Sequence, residues 1–322
     1  VVLCLVEHDD GTPTELSLEQ LALGRALAAD TGTAVDAAVF GDVGEAVADQ
    51  VGTHGVETVH QVTHDRLDAY APDAWAESLA QLASELGTSV VLGPGSDRGQ
   101  EVLARMGASL DVPMAANCLE VDIGDPTELT RQRWGGSLIE HARIDGDPLL
   151  LTAAPHEHPI EAASEESDTT VQPFSPSLED EHLAVRVERV EESDIEGVPL
   201  GEARVVVGGG RGVGSAENFD ILEELADQLG GAVGASRAAV NEGWRAHDDQ
   251  IGLTGTKISP DLYIAAGISG AVQHMVGTKG AKNILAINTD PEAAIIGKAD
   301  WAVLGDLHEV VPAITEAIRA AR

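Results

Sequence analysis

The run TGTKISPDLYIAAGISGAVQHMVGTKGAKNILAIN, from Thr254 to Asn288, sets a histidine, a serine and a carboxamide among small residues at the ends of two apolar stretches. Gly267, Ser269, Gly270, His274 and Asn288 bind better than they attack: small residues allow close backbone approach, and the polar groups hydrogen-bond. GISGA, Gly267 to Ala271, lacks the GxSxG form of a nucleophile elbow, so hydrolase chemistry is not indicated. A second set is GGGRGVGS, Gly208 to Ser215, where backbone N–H groups at a strand-to-helix turn could hold a pyrophosphate and Arg211 could pair with phosphate or stack on a planar ring. It is neither a clean GxGxxG nor a Walker A loop, since no Lys precedes Ser215, and by itself it reads equally as a tight structural turn. GASRAAV places Ser236 and Arg237 at the end of a small-residue strand, where an Arg is more often a surface charge. QIGLTG, Gln250 to Gly255, is on its own an ordinary Thr-Gly turn.

These residues need a parallel sheet to bring them together. Leu262 to Ile268 has the length of a buried strand, Ser269 can cap a following helix, and Ile284 to Ile287 is a second strand. Such sheets bind ligands in the crevice beyond the carboxyl ends of their strands, where a helix N-terminus also favours an anion. The strand Ala203 to Val207, the Gly-rich turn, a helix from Ala216 to Leu229 closed by Gly230 and Gly231, and a last helix over Val310 to Ala321 complete that half. The first half alternates in the same rhythm: strand Val1 to Val6, a helix after Ser17, strand Ala34 to Phe40, helix Ala74 to Leu86, strand Ser89 to Leu92, a polar turn Gly93 to Gly99 and helix Gln100 to Leu110. The Pro-, Ser- and acid-rich segment 156–181 reads as a linker or a long loop, and EESDIEG, Glu191 to Gly197, as the boundary between two domains.

Composition narrows the classes. The 322 residues suffice for two domains, and the formal net charge is -36, with only four lysines, none before Lys257. This rules against a nucleic-acid partner, which needs a basic stripe, and points to a solvated surface adapted to a salt-rich cytoplasm. At molar salt the Debye length falls to about 3 Å and self-repulsion is mostly screened. Stability is therefore expected to rise steeply from dilute buffer to molar KCl; an unfolding midpoint that stays fixed across that range would refute the halophilic reading. Cys4 and Cys118 are too few for a disulfide framework and form no zinc motif. VVLCLV runs into Glu7, His8, Asp9 and Asp10 and reads as a first strand, not a signal peptide; no stretch reaches membrane-span length. His54, His60 and His64 invite a metal reading, with His60 and His64 on one face if VETVHQVTH is a strand, but no carboxylate or Cys completes a recognisable set.

LYIAAGISGAVQH followed by AIN and DPEA resembles the signature of the alpha subunit of electron transfer flavoprotein, here of haloarchaeal type. VVVGGGRGVGSAENF, GASRAAV, ADWAVLGDL and VVPAI extend the resemblance over residues 200–318; LVEHDDG, LGPGSDRGQEVLARMGASLDVPMAA and RWGGSLIE carry it more weakly through the first half. The resemblance implies an α/β fold of two domains, each a parallel-type sheet flanked by helices. Residues 1–192 would be nucleotide alpha-hydrolase-like and pack on a partner, with LAVRVERV their last strand; residues 193–322 would be a Rossmann-like, DHS-like FAD-binding domain. It implies FAD contacts from Arg211, Ser236 and Arg237; from Gln250, Ile251, Gly252, Leu253 and Thr254; from Ser269, Gly270, Ala271, Val272, Gln273 and His274; and from Asn288, Asp306 and Leu307. By the same resemblance Arg237 faces the isoalloxazine, the Thr254 hydroxyl reaches flavin N5, His274 bonds the C2 carbonyl, and Asn288, Asp306 and the Leu307 backbone carry the ribose and adenine end. Leu253 stands where the family usually has Gln, leaving its backbone amide to serve; Thr256-Lys257 reverse the usual order, and Asn241 replaces a common Asp. The implied function is an electron carrier without substrate chemistry of its own. It would pair with a beta subunit, accept electrons from flavin dehydrogenases such as the acyl-CoA dehydrogenases of fatty acid β-oxidation, and pass them to a quinone oxidoreductase or other acceptor. An NAD(P)-binding oxidoreductase subunit and a non-catalytic assembly subunit are the alternatives, and bound-flavin absorbance discriminates them.

Overall fold

A computed structural model describes residues 1–134, 138–163, 168–189, 198–201 and 203–321. The chain separates into two compact units, Val1–Glu191 and Glu192–Arg322. The expected boundary segment, 191–197, lies outside the described residues, as do Gly135, Gly136 and Ser137 of RWGGSLIE.

The first unit opens with β1 (Val2–Leu5), the small hairpin β2 (His8–Asp9) and β3 (Thr12–Pro13), and α1 (Glu15–Thr31), followed by β4 (Val35–Phe40), α2 (Gly44–Val51), β5 (Val56–Val62), α3 (Pro72–Leu86), β6 (Val90–Gly93) and α4 (Asp97–Leu110). The strands β7 (Met114–Asp122), β8 (Thr127–Arg133), β9 (Leu138–Ile144), β10 (Leu149–Ala153) and β11 (Thr170–Phe174) complete it. They form one sheet in the order β11-β5-β4-β1-β6-β10-β7-β8-β9. Its pairs are parallel except β7 with β8 and β8 with β9, an antiparallel edge that the alternating βα rhythm does not reveal. Period-two alternation divides the core between two faces: Val2, Cys4 and Val6 pack with Leu21 and Leu27 of α1, while Leu3 and Leu5 pack with Leu79 of α3 and Leu103 of α4.

Caps moved two helix starts. α1 begins at Glu15 because Thr14, not Ser17, is its cap: the Thr14 side chain accepts from the Ser17 amide, and the Ser17 hydroxyl instead accepts from the Glu7 amide at 2.8 Å. In α4, Ser96 accepts from Gly99 N–H at 2.8 Å, so the last part of the expected polar turn, from Asp97 on, is already helix. LAVRVERV is not the last strand. Leu183 ends a 3₁₀ turn and Ala184 to Arg189 form no strand, because β11 already occupies the edge beside β5; Val185 and Val187 are left exposed. β11 also gives the 156–181 segment a strand where a loop was expected.

The second unit contains β12 (Val205–Gly209), α5 (Asp220–Leu229), β13 (Ala232–Ser236), α6 (Arg237–Asn241), β14 (Gln250–Ile251), β15 (Leu262–Ala266), α7 (Val272–Val276), β16 (Ile284–Asn288), β17 (Trp301–Leu304) and α8 (Leu307–Ala321). Its sheet is wholly parallel, in the order β14-β13-β12-β15-β16-β17. The chain leaves β12 toward β13 and returns on the other side with β15, which makes the carboxyl ends of β12 and β15 the topological switch point. Leu222, Leu225 and Val311 of α5 and α8 cover one face with Val207 and Ile264, and Tyr263, Met275 and Ile295 pack on the other. Gly230 ends α5 in the left-handed region at φ 65°, as its sequence signal indicated.

Candidate cofactor site

The three glycines that end β12 serve packing, each differently. A side chain on Gly208 would strike the Tyr263 hydroxyl, one on Gly209 the Phe219 ring, and one on Gly210 the Gly267 carbonyl. The turn lies against the end of β15, with Gly210 N–H donating to Ala266 at 2.9 Å and Gly212 N–H to Gly267 at 3.1 Å. Val213 and Gly214 N–H donate to the carbonyls of Gly210 and Arg211. Four amides of the Gly-rich run are thus engaged, two within the turn and two on the end of β15, and from the turn Arg211 and Gly212 line the crevice.

Beyond the switch point is a cavity of about 600 Å³, within the usual range for small-molecule sites. Arg211, Ser236 and Arg237 line it, with Gln250 to Thr254, Ser269, Ala271, Gln273, His274 and Asn288. The structure thereby brings together residues from four separate motifs. Gly212, Gly267, Ile268, Ala238, Asn241, Asp290 and Ala293 also line it. Arg211 and Arg237 are the cationic side chains on the wall and Asp290 the acidic one; among the described residues neither guanidinium has an ion-pair or hydrogen-bond partner.

Local bonding explains how these groups are held. Ser236 caps α6 by accepting from Ala239 N–H at 3.4 Å, which fixes Arg237 at the first position of that helix. Gln250, buried, donates through Nε2 to the Thr254 hydroxyl at 3.1 Å, leaving the Thr254 O–H to donate elsewhere. Leu253 N–H donates to Gln273 O at 2.7 Å, so the amide expected to serve the ligand instead ties the 250–255 loop to the start of α7. Gly252, at φ 145°, permits that approach: a Cβ there would meet Gln273 O at 2.9 Å.

Other expected contact residues are held differently. Ser269 does not cap α7, whose N-cap is Ala271 with no side-chain bond; the Ser269 carbonyl accepts from Ile295 N–H instead. Since α7 has five residues, its end offers an anion little of the dipole expected. Gly270, Val272, Asp306 and Leu307 do not line the cavity. Gly270 abuts the Ile295 backbone, Val272 faces solvent, the Asp306 carboxylate accepts from His308 N–H at 2.9 Å, and the Leu307 side chain is in the core. Asn288 reaches the wall, but its amide donates to Ile268 O at 2.8 Å and its oxygen accepts from Asp290 N–H at 3.0 Å, so it shapes the loop.

His274 is, with Gln250, a buried polar group of the wall. Its Nε2 lies 2.8 Å from the Tyr263 hydroxyl and its Nδ1 has no hydrogen-bond partner. Burial pushes its pKa down to about 4, with the nearby Ile251 backbone pulling weakly the other way, so the ring is neutral at pH 7. Tyr263 belongs to no expected contact set. A tyrosine inside a small aliphatic strand was the available signal, because a buried phenol needs a partner for its hydroxyl.

The three histidines considered as metal ligands each have another neighbour. His60 Nε2 is 2.9 Å from Asp36 in the core, His64 lies beyond the end of β5 and accepts from Arg66 N–H, and His54 contacts the Glu161 carbonyl. Among the described residues no cluster of three potential metal ligands occurs, and no helix is long and apolar enough to cross a membrane.

Comparison with known proteins follows the same division of the chain. Residues 2–178 match the family described as electron transfer flavoprotein domain, and residues 199–279 the electron transfer flavoprotein FAD-binding domain. The chain is 37% identical over 324 residues to the electron transfer flavoprotein subunit alpha of Mycobacterium tuberculosis, covering 99% of this chain and 98% of that protein. It is 35% identical to the subunit of the same name from Clostridium acetobutylicum, with 99% and 97% covered, and 33% identical to that of Thermoanaerobacterium thermosaccharolyticum, with 97% and 96% covered.

Proposed function

Because the chain belongs to the electron transfer flavoprotein alpha-subunit family, we propose that its second unit holds one FAD in the cavity at the β12 and β15 crevice and that the chain works as the FAD-binding half of a heterodimeric electron carrier. One observation carries the assignment of the cavity. In a chain of net charge -36, two unpartnered guanidiniums, Arg211 and Arg237, meet on one wall beside a buried imidazole with an orphaned nitrogen. That set suits an anionic, planar ligand rich in acceptors.

FAD, when bound, supplies the one- and two-electron chemistry that no side chain in the cavity offers. Arg211 and Arg237 would hold negative charge on the ligand, and a fixed cation near the ring favours electron uptake. Thr254, oriented by Gln250, offers a hydroxyl donor, and His274 offers its free Nδ1. Asn288 and Ser236 keep the surrounding loops in place. The first unit would pack against a beta subunit. Flavin dehydrogenases of the acyl-CoA type are the proposed donors and a quinone oxidoreductase or comparable protein the acceptor, in a salt-rich cytoplasm. Purified with its beta subunit, the chain is expected to be yellow and to carry FAD through the second unit; a colourless heterodimer unable to take up FAD would overturn this reading.

His274 gives the reading a sign. Its removal deletes a donor from the ring edge where reduction places negative charge. Replacing His274 with Ala is expected to lower the first-electron potential by on the order of 60 to 130 mV, from roughly 1.5 to 3 kcal/mol for a hydrogen bond to a charged group at about 59 mV per 1.4 kcal/mol. Potentiometry on the holo-heterodimer measures it; an unchanged or raised potential with FAD still bound would assign His274 to the core alone.

A further inference from the structure

We propose that Tyr263 is the positioning residue of this site: its hydroxyl donates to His274 Nε2, fixes the proton of the neutral ring on Nδ1, and so makes His274 a hydrogen-bond donor toward the flavin. The identity of the acceptor rests on the FAD reading above; the tautomer does not.

Tyr263 is completely buried on β15. Its ring crosses Gly208 of β12, where even a methyl group would meet the hydroxyl at 2.5 Å, so the absent side chain of Gly208 is what lets the phenol reach His274. The hydroxyl lies 2.8 Å from Nε2, and among the described residues it has no other hydrogen-bond partner. Two arrangements are possible. If Nε2 carried the proton and donated, the phenol O–H would be a buried donor with no acceptor, an arrangement folded proteins avoid. If the phenol donates, one bond satisfies the hydroxyl and Nε2, the ring proton goes to Nδ1, and one group, not two, is left for a ligand to satisfy. Desolvation opposes the doubly protonated ring, so the choice lies between the two neutral tautomers.

The choice sets specificity. With the proton on Nδ1 the cavity wall seeks an acceptor, such as a ring carbonyl; with the proton on Nε2 the same atom would seek a donor, such as a ring N–H. Tyr263 thereby determines which edge of a planar heterocycle the site accepts, although nothing places it in contact with the ligand.

Nitrogen NMR on the full chain labelled with ¹⁵N-histidine tests this without flavin, His274 being assigned by its loss in His274→Gln. The expected result is a protonated Nδ1 and an unprotonated Nε2 in the parent chain, and a shift toward Nε2–H or tautomer averaging in Tyr263→Phe, which keeps the ring and deletes the hydroxyl. A parent ring protonated on Nε2, or a tautomer unmoved by Tyr263→Phe, would overturn the proposal. FAD titration of the heterodimer adds a double-mutant cycle. Tyr263→Phe should weaken FAD binding several-fold when residue 274 is His and leave it unchanged in His274→Asn, whose amide nitrogen stands where Nδ1 does and has no tautomer to lose. Equal weakening in both backgrounds would mean that Tyr263 acts through packing alone, which also overturns the proposal. Failure of the parent heterodimer to bind FAD would sink the functional reading while the NMR result still decided the tautomer.

Discussion

Replacing His60 with Leu is expected to cost about 3–5 kcal/mol of stability, because it leaves Asp36 as a buried carboxylate without its partner. Asp36 on β4 and His60 on β5 are both buried in the first unit, 5% and 4% exposed, with 2.9 Å between Oδ2 and Nε2. Asp36 is surrounded by the core of that sheet, where burial first and the field of Asp36 second raise the pKa of the Cys4 thiol to about 12. The loss follows from breaking the pair more than from deleting a favourable contact. The double variant Asp36→Val/His60→Leu should therefore recover most of it, since an apolar pair of similar volume removes both desolvation costs. Urea unfolding in molar KCl, which separates this effect from surface repulsion, measures each variant. A double variant no more stable than the single would refute the buried-pair account.

Acidification should destabilise the FAD-free chain through His274 by about 3 kcal/mol between pH 6.5 and pH 4. In the folded chain burial lowers this ring from its ordinary 6.5 to about 4. As pH falls the unfolded chain therefore binds the proton first. The contribution of the neutral ring is whole above about 6.5, declines through the interval and is gone below about 4. At about 1.4 kcal/mol per pH unit the difference reaches the stated size, and a group this buried needs no reduction for solvent screening. Other groups titrate in the same range. Burial raises the Glu7 carboxyl above its ordinary value, so its cost is relieved by acid and acts in the opposite direction. Comparison with His274→Gln cancels Glu7 and every other common group: the parent should lose about 3 kcal/mol more than the variant from pH 7 to pH 4. Parallel pH profiles for the two chains would show that His274 is not held neutral by the fold.

The sequence alone determined the family, the alternation of strands and helices, and the motifs from which the cavity is built. Local physics makes those features legible. Apolar runs such as Leu262 to Ala266 have the length of a buried strand, and Gly230 supplies the left-handed residue that ends α5. The chain-wide acidic excess is likewise a property of composition and needs no fold.

What only the tertiary structure decided is how each polar group is used. A hydrogen bond depends on which atoms arrive within about 3 Å, and partners far apart in sequence leave no local trace. Ser269 reads as a helix cap until α7 begins two residues later than its capping would require, and the helix expected after Ser17 starts at Glu15 because Thr14 caps it. The glycines of GGGRGVGS read as a phosphate cradle, yet their amides close on Ala266 and Gly267 and their missing side chains make room for Tyr263 and Phe219. His60 could be a metal ligand by type and spacing; parallel pairing of β4 with β5 brings Asp36 to it and makes the two a core pair. His274 was legible as a site residue, but its tautomer was not. That depends on a tyrosine eleven residues earlier whose hydroxyl reaches the ring only because the adjacent strand has no side chain at Gly208.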